Sequence, residues 1–257
     1  MPSHLERQIE RLKNEVIRLG TRAEESVQKS LRAMENRDMA LAEQVIAEDR
    51  LIDELEMDLE EECLKLLALY QPVATDLRYI VSVLKINSDL ENIGDQAKKI
   101  GRRVLSLCNQ PAHGQVFERT KLIERASWSV KHCLDAMFNL DAELARKVID
   151  AEAQVDELSE ELAAQIQEAM SRAPKHIGSL LDELSICSHL EQIGDYTKKI
   201  AEDVVYMSEA KIIRHGGIHV GLTGPGDGGD LLAAGRVLDG DSVAARALDP
   251  GAADKVL

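Results

Sequence analysis

Asp89-Leu90-Glu91-Asn92-Ile93-Gly94-Asp95-Gln96-Ala97-Lys98-Lys99-Ile100 is the stretch that decides the fold of this chain. It returns about one hundred residues later as His189-Leu190-Glu191-Gln192-Ile193-Gly194-Asp195-Tyr196-Thr197-Lys198-Lys199-Ile200, with Leu, Glu, Ile, Gly, Asp, Lys, Lys and Ile in the same places. In each copy a Glu and an Asp stand four apart, so a helix carries both carboxylates on one face, one turn from each other. A mid-helix Gly costs roughly 0.5–1 kcal/mol relative to Ala, and paired acids at this spacing cost a few tenths more. Both copies keep that unfavourable combination, which predicts a cation or a very closely packed neighbour against this face.

Working outward, apolar residues recur at helical spacing on either side. Leu5, Ile9, Leu12, Val16, Leu19, Ala23, Val27, Leu31 and Met34 predict a first helix over residues 4–34. Asn36-Arg37-Asp38 is a polar break, and Asp38 is placed to cap a second helix that ends near Tyr70-Gln71-Pro72. Pro72 cannot continue that helix, and Thr75 or Asp76 is placed to cap a third, which carries Leu77, Ile80, Leu84, Leu90, Ile93 and Val104. Asn109-Gln110-Pro111-Ala112-His113-Gly114 reads as a linker.

The pattern then repeats. Val27, Leu31, Ala33 and Met34 correspond to Val130, Leu134, Ala136 and Met137, and the turn residues Asn36 and Asp38 to Asn139 and Asp141. Leu41, Val45, Ile46, Asp53, Leu55 and Leu59 correspond to Leu144, Val148, Ile149, Asp156, Leu158 and Leu162. Pro174 ends the fifth helix where Pro72 ended the second, and a sixth runs to about Met207. Such internal duplication, with short connections between long amphipathic helices, predicts an all-α fold of six antiparallel helices in tandem three-helix bundles. The expected organisation is 1–110 for the first bundle, 111–217 for the second, and 218–257 for a loosely ordered Gly/Ala/Asp-rich tail. Within it, Gly224-Pro225-Gly226-Asp227-Gly228-Gly229 lacks the G-K-[ST] ending of a phosphate loop.

Composition limits the function. The chain has a net charge of −15 and only 3% aromatic residues. Such a surface repels phosphate backbones and anionic lipid, and favours cations or a basic partner over nucleic acid or direct membrane insertion. The start carries no apolar signal region and no apolar run reaches spanning length, which predicts a cytoplasmic protein. Cys63, Cys108, Cys133 and Cys187 form no C-x-x-C pair and read as small core residues kept reduced. His132, His176, Trp128 and the methionines read as packing residues, and His189 as packed or solvated rather than as a ligand. Arg78 reads equally as a partner contact or as the ion-pair partner of Asp76.

The second helix of each unit adds another acid pair, Asp49 and Asp53 in the first and Glu152 and Asp156 in the second. If neighbouring antiparallel helices meet at that height, Asp49, Asp53, Glu91 and Asp95 converge in one unit, and Glu152, Asp156, Glu191 and Asp195 in the other. Carboxylates that close repel, so some protonate or a counter-charge joins them. Oxygen donors suit Mg, Ca, Mn and non-haem iron. Lys98, Lys99, Lys198 and Lys199 stand one turn on, placed to neutralise or to orient.

These residues together resemble the PhoU family. The matching text is Glu48-Asp49-Arg50-Leu51-Ile52-Asp53, Gln71-Pro72-Val73-Ala74-Thr75-Asp76-Leu77-Arg78, the Leu90–Asp95 and Leu190–Asp195 elements, and Arg214-His215, across roughly residues 5–217. The resemblance implies tandem three-helix bundles, divalent or trivalent metal ions (Fe, Mn, Mg or Zn) at the eight carboxylates just named, and homodimers. It also implies a cytoplasmic, non-enzymatic regulator that links the ATPase subunit of the phosphate ABC transporter to a sensor histidine kinase. In that role it represses uptake and phosphate-starvation signalling when phosphate is plentiful. The second unit departs from the pattern, since Ala173-Pro174-Lys175-His176-Ile177-Gly178 lacks the D-L-R element. Two other readings of the acidic faces are a di-iron carboxylate oxidase and a metal-free helical scaffold. The first normally needs Glu-x-x-His motifs, and none lies on the repeated faces.

Overall fold

The first apolar stripe closes into one continuous helix, α1 (His4–Asn36), burying Ile9, Leu12, Val16, Leu19, Ala23, Val27, Leu31 and Met34. A computed structural model describes residues 4–110, 117–214 and 217–220. After α1 come α2 (Met39–Tyr70), α3 (Ala74–Cys108), α4 (Thr120–Asn139), α5 (Ala142–Arg172), a 3-10 turn over Pro174–His176, and α6 (Ile177–Glu209). Helices α1–α3 pack on one another, as do α4–α6, which makes two three-helix bundles in tandem.

The duplicated turns are built alike. Arg37 and Leu140 take the left-handed conformation at φ 49° and 50°. The next residue then caps the following helix: the Asp38 carboxylate accepts from Leu41 N at 3.0 Å, and Asp141 accepts from Glu143 N and Leu144 N at 3.0 Å each. The α2–α3 joint differs from expectation. The cap residue of α3 is Val73, with no side-chain cap bond, and Thr75 and Asp76 lie inside the first turn. Asp76 N bonds to Val73 O at 3.2 Å, so backbone geometry after Pro72 opens the helix before either side chain can cap it.

The halves meet chiefly through α3 and α6, which run antiparallel. Lys85 faces Asp203 at 3.5 Å, Gln96 faces His189 at 3.0 Å, and Arg103 faces Asp182 at 3.3 Å. Helices α1 and α4 also touch: a Cβ on Gly20 would lie 2.8 Å from Leu134 Cδ2. One buried apolar cluster, including Leu19, Ile93, Leu134 and Ile193, spans both bundles. The expected boundary at residue 110 abuts residues 111–116, which lie outside the described residues with most of the linker.

Past α6 the first residues of the expected tail join a short hairpin. Strands β1 (Lys211–Arg214) and β2 (Gly217–Val220) pair antiparallel, in the register Lys211↔Val220 to Arg214↔Gly217. β-Branched residues favour these strands, but four-residue strands are too short for an alternating pattern to stand out. His215, the Gly224–Gly229 stretch and the rest of 221–257 lie outside the described residues. Among those described, no helix is long and apolar enough to cross a membrane.

Candidate metal centre

Gly94 and Gly194 set the site. A Cβ on Gly94 would stand 2.8 Å from Ile52 Cδ1, and one on Gly194 would stand 3.0 Å from Val155 Cγ1. The missing side chains let α3 close on α2, and α6 on α5, at the height of the acid pairs. Asp53 follows Ile52 and Asp156 follows Val155, so each close approach brings the carboxylates of neighbouring helices together.

In the first unit Asp49 is 3% exposed and accepts from Lys98 at 2.5 Å, while its Oδ1 is buried with no hydrogen-bond partner. Lys98 reaches on to Asp95 Oδ1 at 3.5 Å, and Lys99 pairs with Asp95 Oδ2 at 2.8 Å. Burial works to raise the Asp95 carboxyl, but the Lys99 hydrogen bond and the two lysine charges outweigh it and hold the group below its ordinary range. Asp53 and Glu91 are pushed the other way. Burial raises both, then the charge of Asp49 adds to Asp53 and those of Asp95 and Asp53 to Glu91.

A fifth acid, Glu56, borders this cluster. It accepts from Asn87 Nδ2 at 3.2 Å, and its carboxyl is raised by burial and by the charges of Glu60 and Asp53. The spacing of Asp53 and Glu56 on one helical face was the signal that sequence reasoning passed over. Its counterpart at the repeat offset is Ser159, whose hydroxyl instead donates to Glu191 Oε2 at 3.1 Å.

In the second unit Glu152, Asp156 and Asp195 each offer an oxygen, and these atoms lie within 4.8 Å of one another. Opposite ligands around a hard cation stand about 4–5 Å apart at metal–oxygen distances of about 2.0–2.6 Å. The three oxygens therefore fit one ion with little adjustment. Burial, then the charges of Glu152, Asp195 and Glu191, raises the Asp156 carboxyl. Lys198 pairs with Glu152 at 2.6 Å, whereas Lys199 lies over the Tyr196 ring, 4.6 Å from its centroid. All eight carboxylates expected from the sequence thus stand in two groups. Glu191 is turned toward Ser159 and lies outside the convergent trio.

His189 is not part of the second group. Its Nδ1 lies against Gln96 Oε1 of the other bundle, and burial with the charges of Lys99 and Arg103 pushes its pKa down to about 4. His132 bonds to Trp128 O at 2.8 Å and stacks on that ring. Arg78 Nε is buried without a hydrogen-bond partner. Cys63, Cys133 and Cys187 are buried and all four thiols are free.

The donors fit the implied ion: hard oxygens throughout, carboxyls with raised pKa that a cation relieves, and one orphaned buried oxygen on Asp49. Tandem three-helix bundles, each with a carboxylate cluster between its last two helices, define the class. The PhoU domain profile matches residues 16–104 and 120–204. The chain belongs to the PhoU family. It is 33% identical over 209 residues to the phosphate-specific transport system accessory protein PhoU homolog of Aquifex aeolicus, covering 81% of this chain and 95% of that one. It is 30% identical to the phosphate-specific transport system accessory protein PhoU of Escherichia coli, over 90% and 93% of the two chains. Among solved structures, PhoU from Pseudomonas aeruginosa superposes with a TM-score of 0.76 at 32% identity, over 78% of this chain and 96% of that one. The phosphate transport system regulatory protein PhoU from Streptococcus pneumoniae does so with a TM-score of 0.75 at 26% identity, over 82% and 100%.

Proposed function

We propose that this protein is a metal-binding regulator of phosphate uptake and phosphate-starvation signalling. It acts without catalysis as an adaptor between the ATPase subunit of the phosphate ABC transporter and a sensor histidine kinase. It restrains both in high phosphate, as a cytoplasmic homodimer held near the membrane by its partners. The relatives that match over most of the chain carry phosphate-transport accessory names, and this observation carries the reading.

Asp49, Asp53, Glu91 and Asp95 would hold metal in the first unit, and Glu152, Asp156 and Asp195 in the second, with Glu191 at its edge. A bound cation supplies the positive charge that lets neighbouring carboxylates stay ionised side by side. The chain's own part is mechanical and electrostatic. Gly94 and Gly194 hold the helix pairs close, Ser159 orients Glu191, and Lys98 and Lys198 balance charge from the edge of each group.

Deletion of the gene is expected to make phosphate-starvation genes constitutive, and the wild-type chain to restore repression in high phosphate. Normal repression in the deletion strain would contradict the role. A variant with Glu91, Asp95, Glu191 and Asp195 changed to Ala is expected to purify with less metal than the wild type. Equal metal content in the two would contradict the site.

A further inference from the structure

We propose that the two carboxylate groups take up metal in a fixed order, the second unit before the first, because Lys98 and Lys99 block the first. The inference rests on the metal reading above and concerns how that site is regulated. The duplication supplies its own control, since Lys98 and Lys198, and Lys99 and Lys199, stand at matching positions.

In the first unit the Lys98 ammonium, on a side chain only 22% exposed, sits 2.5 Å from Asp49 and 3.5 Å from Asp95. It spans the two helices as a bridging cation would. Lys99 takes the other Asp95 oxygen at 2.8 Å. A metal entering here must displace Lys98 from two carboxylates and return its charge to water. The group is nonetheless built for more positive charge than Lys98 provides: Asp49 is 3% exposed, and its second oxygen is buried with no partner.

The second unit is freer. Lys198 reaches Glu152 at 2.6 Å but, among the described residues, bridges to no second acid. Lys199 is drawn onto the Tyr196 ring at 4.6 Å instead of pairing with Asp195. The matching position in the first unit is Gln96, buried against His189, which offers Lys99 no ring. Asp195 is therefore left to Glu152 and Asp156, and their ligand oxygens already lie within 4.8 Å. A groove of about 750 Å3, lined by Lys85, Ser88, Asp195, Lys198 and Ile213 among others, gives solvent and ions a way in.

A charge-assisted contact contributes enough that displacing one separates the two affinities by about ten- to a hundredfold. The experiment titrates the full-length chain, stripped of metal by chelation, with Mn(II), followed by calorimetry and by the count of bound ions. Two phases are expected. Asp195→Asn should remove the tighter phase, and Asp53→Asn the weaker one. Lys98→Met keeps the aliphatic stem and should tighten the weaker phase at least tenfold while leaving the tighter one unchanged. Tyr196→Gln, with its helicity and melting checked against the wild type by circular dichroism, frees Lys199 for Asp195 and should weaken the tighter phase several-fold. Equal affinities in the wild type, the reverse assignment of phases, or no response to either Lys98→Met or Tyr196→Gln would overturn the order while leaving metal binding in place. No Mn(II) bound at either group would sink the metal reading and the order with it.

Discussion

Gly94 shows how one residue positions four others. Adding a methyl there recovers roughly 1 kcal/mol of helix propensity, but it meets Ile52 Cδ1 at 2.8 Å and Cγ2 at 3.2 Å. Overpacking costs typically about 1–3 kcal/mol, so Gly94→Ala is expected to lose about 1 kcal/mol net, read by urea denaturation. It should also weaken Mn(II) binding at the first group, because relief of the clash parts α2 from α3. The thiols offer a second test at this scale. Burial, then the charges of Glu62 and Glu60, pushes Cys63 up to about 12, and burial, then Glu183, does the same to Cys187; burial raises Cys133 as well. The folded chain keeps these protons while an unfolded chain loses them from about pH 8.5, so this contribution lowers stability as pH rises from about 8.5 toward 12. At pH 8 iodoacetamide should modify Cys108, which is half-buried, and spare the other three until the protein unfolds. Equal labelling of all four in a peptide mass map would contradict the burial.

At the scale of the element, the repeated turns carry comparable loads. Asp38 accepts one helix N–H and Asp141 two, each following a left-handed residue. Replacing either by Ala removes the acceptor and should lower stability by about 1 kcal/mol, with Asp141→Ala the larger loss in thermal denaturation. These caps were legible because an Asp before a periodic apolar run has a mechanism, and because both copies keep it. The α3 cap was not, since Thr75 and Asp76 are good capping residues that the backbone after Pro72 carries into the first turn. The β1–β2 hairpin escaped for a different reason: a strand of four residues spans only two side-chain repeats.

For the molecule as a whole, the seam between bundles carries polar contacts along the length of α3 and α6 beside one apolar cluster. Asp182, 5% exposed, accepts from Arg103 at 3.3 Å, Ser106 at 2.6 Å and Gln110 at 2.9 Å, all from the other half. Asp182→Ala leaves three donors short of their acceptor and should cost about 2 kcal/mol, discounted because Arg103 is half exposed to solvent. Because one apolar cluster runs through both halves, wild type and variant should each unfold in a single cooperative transition by calorimetry. Two resolved transitions would mean that the bundles are stable apart.

Periodicity and duplication alone determined six helices, their pairing into two bundles, and the face on which each acid pair lies. A 3.6-residue repeat dictates which side chains share a face, and the repeat of the whole pattern dictates that the faces come twice. What no one-dimensional pattern carries is distance between elements. Only the tertiary structure decided that α3 and α6 run antiparallel against each other and that His189 belongs to the seam rather than to the second group. It alone brought Glu56 to the edge of the first group and sent identical lysines to different partners, Lys99 to Asp95 and Lys199 to the Tyr196 ring. Those outcomes depend on contacts a few ångströms long between residues about a hundred apart in the chain, and packing selects them.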